Sequence, residues 1–276
     1  MGIRINTNIA SINTQRHLFN ATMAYGKSME KLSSGLRINR AADDAAGLAI
    51  SEGLKSDIRA LEQAARNASD GISMVQTAEG ALDEVSNILL RMRELTEQAL
   101  NGTVTNTERT YLDNEYQALI SEIDRIAQSV EFNGIKMLDG SATTAVDIQV
   151  GIDTNTWDSI AVDVTTARDS GTLGLAAGVD TAANASTAMG QVLTAIDTVS
   201  SARSDFGAVQ NRLETSVRNI HNQKENLSAA NSRIRDVDVA SETSSMTSNQ
   251  ILQQAGVSML AQANMVPSLA MSLLGG

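Results

Sequence analysis

The chain has 276 residues, a net charge of −11, one proline, no cysteine and only seven aromatic residues. This composition excludes a disulfide framework, thiol chemistry and an aromatic-rich core, so alanine, leucine, isoleucine and valine must do the packing. The acidic balance argues against nucleic-acid binding, no run of about 18 apolar residues could span a membrane, and a single proline leaves room for very long helices, because an interior proline costs about 3 kcal/mol.

The first residues, MGIRINTNIASINTQRH, lack the continuous apolar core and cleavage site of a secretory signal, which by itself suggests a cytoplasmic chain. Six basic residues against Glu30 alone give residues 1 to 40 a charge of +5. The last 34 residues, from Thr243, contain no Asp, Glu, Lys or Arg, so the chain total of −11 leaves −16 for residues 41 to 242.

The N-terminal segment reads as a helix with two seams. Ile5, Ile9, Ile12, Phe19 and Met23 form one, and Leu18, Tyr25, Met29, Leu32 and Leu36 the other. From Asp43 to Leu100 the apolar steps run through Ile50, Leu54, Ile58, Leu61, Ala65, Ala68, Ile72, Val75, Ala78, Leu82, Val85, Leu89, Met92, Leu95 and Ala99, the heptad period of a coiled coil. At 1.5 Å per residue this predicts a helix about 85 Å long, ended by a left-handed cap at Asn101-Gly102. Thr105 and Glu108 have capping-box spacing and open a second helix with Leu112, Tyr116, Leu119, Ile123, Ile126 and Val130 on one face.

Asn133-Gly134 is a turn signal. Val146, Ile148, Val150 and then Ile160, Val162, Val164 alternate as a β-hairpin, and the Gly- and Ala-rich residues 166 to 186 read as a loop. A third long helix follows from about Thr187 to Ile234, then a joint at Asp236 and Asp238, then the charge-free helix. There, Leu252, Ala255, Met259, Val266, Leu269 and Leu273 share one face, opposite Gln253, Gln254, Ser258, Asn264, Ser268 and Ser272. A neutral polar face suits a helix packed against copies of itself, where a charge would meet its like. Both end helices are poor in large apolar residues, so they should be ordered only on assembly.

The predicted fold class is mainly α: a long antiparallel helical hairpin or coiled-coil rod with a small β-hairpin element at the far end. The predicted divisions are 1–42 (an end helix), 43–140 (two helices), 141–185 (hairpin and loop), 186–235 (the third long helix) and 236–276 (the other end helix). No catalytic or metal motif appears. His17 and His221 are isolated, Asp43 and Asp44 sit where a helix start would gain from them, and Trp157 reads as cover for the β element. No cofactor and no enzymatic activity are predicted.

Several motifs at both ends resemble bacterial flagellin. At the front these are Lys31-Leu32-Ser33-Ser34-Gly35-Leu36-Arg37-Ile38-Asn39, Asp43-Asp44-Ala45-Ala46-Gly47-Leu48-Ala49-Ile50, Gln76-Thr77-Ala78-Glu79-Gly80-Ala81-Leu82 and Phe132-Asn133-Gly134. At the back they are Ser232-Arg233-Ile234, Gln250-Ile251-Leu252-Gln253-Gln254-Ala255-Gly256, Leu260-Ala261-Gln262-Ala263-Asn264 and Val266-Pro267. The resemblance spans residues 1 to 140 and 186 to 276, and residues 141 to 185 leave no room for an inserted enzymatic domain.

The resemblance implies a homopolymer, the extracellular filament of the bacterial flagellum, with the terminal helices as its inner tube and a role in swimming motility. It corrects the cytoplasmic reading, since flagellins leave unfolded through the flagellar export apparatus without a cleaved signal and polymerise at the tip. Its implied partners are an export chaperone on the C-terminal segment, the filament cap protein, the hook–filament junction proteins and a Toll-like receptor of animal innate immunity. No nucleic acid and no membrane are among them. Arg91, Leu95 and Glu115 match the family's receptor-contact positions. The alternative within the same resemblance is a hook–filament junction protein. Ser141, Thr143, Thr144, Thr154, Thr156 and Ser159 are candidates for O-linked sugars, as in some flagellins.

Overall fold

A computed structural model describes residues 7 to 274, with side chains to residue 265. The elements in chain order are α1 (Ile9–Ser34), α2 (Ala45–Leu100), α3 (Asn106–Ser129), β1 (Glu131–Phe132), β2 (Ile135–Lys136), β3 (Val146–Gln149), a short 3-10 turn (Thr156–Asp158), β4 (Ser159–Val162), α4 (Ala182–Arg235) and α5 (Val239–Leu274). The chain is mainly helical, as predicted. It divides into two compact units: residues 1–56 with 226–276, and residues 57–225.

In the unit of residues 57–225, α2, α3 and α4 enclose a continuous apolar core. On α4 the buried positions are Ala185, Ala188, Val192, Ala195, Val199, Ala202, Phe206, Leu213 and Ile220, a heptad repeat. On α2 the buried stripe passes through Leu61, Ala64, Ala68, Gly71, Val75, Ala78, Leu82, Val85, Leu89 and Met92. Ala64 and Gly71 hold the places that sequence periodicity gives to Ala65 and Ile72, which are only partly buried. The reason is close approach: a Cβ on Gly71 would lie 3.1 Å from Ile148 and 3.3 Å from Leu213. Glycine lowers helix propensity by about 1 kcal/mol relative to alanine, and here its missing side chain lets β3 and α4 close on the helix.

The predicted hairpin exists, with Val146 opposite Val162 and Ile148 opposite Ile160. Its place along the helices differs from the expectation. Ile148 lies on Gly71, and Asn67 donates to the Gln149 carbonyl, so the hairpin packs beside the middle of α2 and not at the turn from α2 into α3. A second, smaller hairpin, β1 with β2, turns on Asn133 (φ 51°) and Gly134 (φ 80°), the two positive φ angles of a type I′ turn.

The end of α2 corrects the predicted cap. Gly102 is not among the glycines with positive φ. Instead Arg109, 8% exposed, reaches back from the first turn of α3. Its Nε donates to the Ala99 carbonyl at 2.7 Å and its Nη2 to the Asn101 carbonyl at 3.1 Å, satisfying acceptors that a helix C-terminus leaves free. The capping box of α3 is as predicted, Thr105 with Glu108. Residues 166 to 181 are more than a surface loop. Asp124 accepts from the Ser170 amide and hydroxyl, Asp113 from the Val179 amide, and Gln191 from Ala176 and Ala177. So fixed, the loop buries Leu173, Leu175 and Val179.

In the other unit, α1 and α5 run antiparallel, with contacts passing from Asn8–Ala263 through Thr22–Gln253 to Lys31–Glu242. Gly35 ends α1 in the left-handed conformation (φ 72°). Arg37 then donates to the Arg235 carbonyl and Val237 to the Gly35 carbonyl, closing a short bridge. Asp43 accepts from the Asn39 and Arg40 amides and pairs with Lys27 at 2.7 Å. Asp238 accepts from the Ala240 and Ser241 amides at the start of α5, and Asp44 from the Gly47 amide at the start of α2, the helix-start role predicted for Asp44.

Candidate functional site

The end helices turn their apolar residues outward. In α1 the only buried residues among those described are Ser11 and Ser28. Ile9, Ile12, Phe19 and Met23 are 58 to 65% exposed. The stripe of α1 that meets α5 is Ser11, Thr14, Leu18, Ala21, Tyr25 and Ser28, so Leu18 and Tyr25 of the second predicted seam face the partner helix, Met29 of that seam is exposed, and the first seam faces away. On α5 the partly buried stripe is Glu242, Met246, Asn249, Gln253, Gly256, Leu260 and Ala263.

The structure splits the polar face that the sequence reading gave the charge-free helix: Gln254, Ser258 and Asn264 are exposed. Gln253, assigned there to the face that meets other copies, donates to Thr22 of α1. Leu252 and Met259, with Ile251 and Val257, stand about 60% exposed. The stripe that meets α1 is mixed, and Gly256 allows a close approach: a Cβ there would lie 3.3 Å from Leu18. Among the described residues the apolar stripe stands exposed. Of the predicted seam residues, Ile5 lies outside the described residues, as do the side chains of Val266, Leu269 and Leu273.

Arg91, Leu95 and Glu115 are not all on the surface. Arg91 on α2 and Glu115 on α3 form an ion pair, Nη2 to Oε1 at 2.8 Å, and Arg91 also holds Glu94 at 2.8 Å. The two carboxylates push the Arg91 guanidinium pKa up, Glu94 through its hydrogen bond and Glu115 through hydrogen bond and charge. Leu95 is 1% exposed and belongs to the core, while Leu90 beside Arg91 is 49% exposed. Periodicity already places Leu95 on the buried seam, and the structure keeps it there.

No cluster of three or more metal-ligating side chains occurs among the described residues, and no described helix is long and apolar enough to cross a membrane. What the molecule does present is two long amphipathic end helices with uncovered apolar faces, joined to a unit with its own core. Those features define a helical, self-assembling structural protein.

The description "Bacterial flagellin N-terminal helical region" matches residues 5–143, and "Bacterial flagellin C-terminal helical region" matches residues 189–274. The chain is 47% identical over 272 residues to a flagellin of Halalkalibacterium halodurans, covering 98% of this chain and 99% of that one. It is 44% identical to a flagellin of Bacillus subtilis, covering 99% of this chain and 100% of that one. It is 43% identical to a flagellar filament 33 kDa core protein of Treponema phagedenis, covering 98% and 99%. The crystal structure of Bacillus cereus flagellin is similar at 35% identity and a TM-score of 0.50, over 60% of this chain and 94% of that one. A putative flagellar hook-associated protein of Vibrio parahaemolyticus shares the fold, with a TM-score of 0.59 at 14% identity, over 70% of this chain and all of that one.

The chain belongs to the bacterial flagellins. It is a structural subunit, not an enzyme, that self-polymerises into the extracellular filament of the bacterial flagellum.

Proposed function

We propose that the subunit joins its filament through the outward apolar seams of α1 and α5: Ile9, Ile12, Phe19 and Met23 on one helix, Leu252 and Met259 on the other. Ile5, Val266, Leu269 and Leu273 extend these seams in the sequence. The observation that carries this reading is the inverted burial of α1, which hides two serines and exposes five large apolar residues. Monomeric soluble proteins rarely leave contiguous apolar stripes open, and such stripes mark association surfaces. On this reading residues 1–42 and 236–276 are the inner-tube helices. Residues 43–140 and 186–235 form the surrounding layer, with 141–185 as its small β element.

The same reading assigns the charge-free C-terminal segment to an export chaperone before assembly. It places export through the flagellar apparatus, polymerisation at the tip beneath a cap protein, contact with hook–filament junction proteins and a role in swimming motility. A Toll-like receptor contact falls to the exposed Arg91–Glu115 pair. Leu95 supports that surface from the core and does not itself touch a partner.

Deletion of residues 243 to 276 tests the assembly reading. Polymerisation onto filament seeds should disappear while residues 57–225 keep their helical signal and cooperative melt. Wild-type polymerisation by the truncated chain would sink it.

A further inference from the structure

Pro267 lies inside α5, which runs to Leu274. In an α-helix the amide of residue 267 would donate to the carbonyl of residue 263. Proline has no amide hydrogen, so the Ala263 carbonyl loses its intrahelical donor. That carbonyl is taken by another helix: the side-chain Nδ2 of Asn8 donates to it at 2.8 Å. The other end of the same amide is also engaged, since Asn8 caps α1 by accepting from the Ser11 amide at 3.1 Å. Next to it the Ser11 hydroxyl, 7% exposed, donates to Asn264 Oδ1 at 2.9 Å.

We propose that Asn8 and Pro267 together form a register lock between the two end helices. The proline opens a single acceptor on α5, and the capping amide of α1 closes on it. A slide of either helix by one turn, about 5.4 Å, would offer Asn8 a carbonyl already bonded within α5. At the joint end the pair is already held by Lys31–Glu242 and by the Gly35–Val237 and Arg37–Arg235 bonds, so Asn8–Ala263 is the tie that holds register at the opposite end of α1. Asn8 is thus a positioning residue: it sets which side chains stand side by side on the outer, apolar surface. This rests on the reading of that surface as the assembly face. The test below reads helix register and not polymerisation, so either idea can fail without the other.

The absence of native cysteine makes a disulfide a clean register gauge. A Cβ on Gly256 falls 3.6 Å from the Leu18 Cβ, within the spacing a disulfide needs. The full chain carrying L18C and G256C is equilibrated in a glutathione redox buffer, with and without N8S. Serine caps a helix about as well as asparagine, but its shorter side chain does not reach across to Ala263. The disulfide equilibrium constant should fall about fivefold with N8S, the loss of one interhelical hydrogen bond. In a P267A background, where an amide at 267 again serves the Ala263 carbonyl, N8S should lower it less than about twofold. An equal constant with and without N8S overturns the proposal. So does a fivefold loss that persists in P267A, which would show that the Asn8–Ala263 bond does not depend on the proline.

Discussion

Residues 57–225 and the end-helix unit use the same heptad spacing to opposite ends. In the first, the repeat points inward: nine residues of α4 are buried, and Leu82, Val85, Leu89 and Met92 of α2 are fully enclosed. In the second, the residues that should build a core are outside. Charge divides the same way. Residues 57–225 hold 25 acidic and 12 basic residues, a net −13, and the end-helix unit holds the remaining +2. The first unit has a finished core and an acidic surface. Among the described residues of the second, Ile38 is the one buried large apolar side chain, and almost no net charge opposes association. On the proposed reading, stability and assembly fall to different parts of one chain.

The strongest way to break this division is a pair of truncations. Leu89→Ala removes a fully buried side chain and should lower unfolding stability by about 2–5 kcal/mol. Phe19→Ala, at a site 64% exposed, should move the thermal unfolding of the free chain by less than about 0.5 kcal/mol. It should nevertheless raise the critical concentration for seeded polymerisation about tenfold or more. Comparable loss of monomer stability in both variants would mean that α1 already has a core of its own.

Much of this was legible in the sequence. Element types, the 3–4 repeat, the capping box and the register-compatible alternation of Val146, Ile148, Ile160 and Val162 all follow from local rules. Three things were not, each for a physical reason. The stripe of α5 that meets α1 was not visible because composition shows which residues share a face, not which face the partner helix covers, and Gly256 lets a mixed stripe approach α1. The seam slipped by one residue at Ala64 and Gly71 because a glycine reads as a gap although β3 fills it. The fixed loop of residues 166 to 181 looked like low complexity because its anchors, Asp113, Asp124 and Gln191, lie on helices distant in sequence.

The cap on α2 sharpens the claim that residues 57–225 close on themselves. Arg109→Met keeps most of the side-chain bulk but leaves the Ala99 and Asn101 carbonyls without their guanidinium donor. A charge-assisted pair of this kind should be worth about 2–3 kcal/mol. Chemical denaturation of the chain lacking residues 243–276 would measure it apart from assembly. A loss below about 0.5 kcal/mol would return the job of ending α2 to Asn101-Gly102.

Acid should act on the end-helix unit at a defined place. Hydrogen bonding to Lys27, then to the Arg40 amide, holds the Asp43 carboxyl down at about 2, below its usual 3.8. The folded form therefore favours the carboxylate, and the stability it lends is complete above the usual value and lost as pH falls from there through about 2. Glu242, lowered by the Ser28 hydroxyl and then by Lys31, adds in the same direction. The Arg40 amide resonance should titrate with a midpoint near 2, and Lys27→Met should raise that midpoint towards 3.8. A midpoint that stays put in the variant would remove Lys27 from the joint.

The smallest effect tests how complete the inner closure is. Tyr116 is fully buried in α3, and among the described residues no protein group pairs with its hydroxyl. Burial, with the nearby Asp113 carboxylate adding to it, pushes its pKa up to about 12. Asp113 is occupied by the Val179 amide at 2.7 Å, so the ring is held for its packing and the hydroxyl adds only a desolvation penalty. Tyr116→Phe should therefore leave stability unchanged or raise it by up to about 1 kcal/mol, a gain of about 2–4 °C in melting temperature. A loss of more than about 1 kcal/mol would show that the hydroxyl is tied into the core. The same substitution should leave polymerisation untouched, because nothing on the inner core of residues 57–225 is shared with the outward seams of α1 and α5.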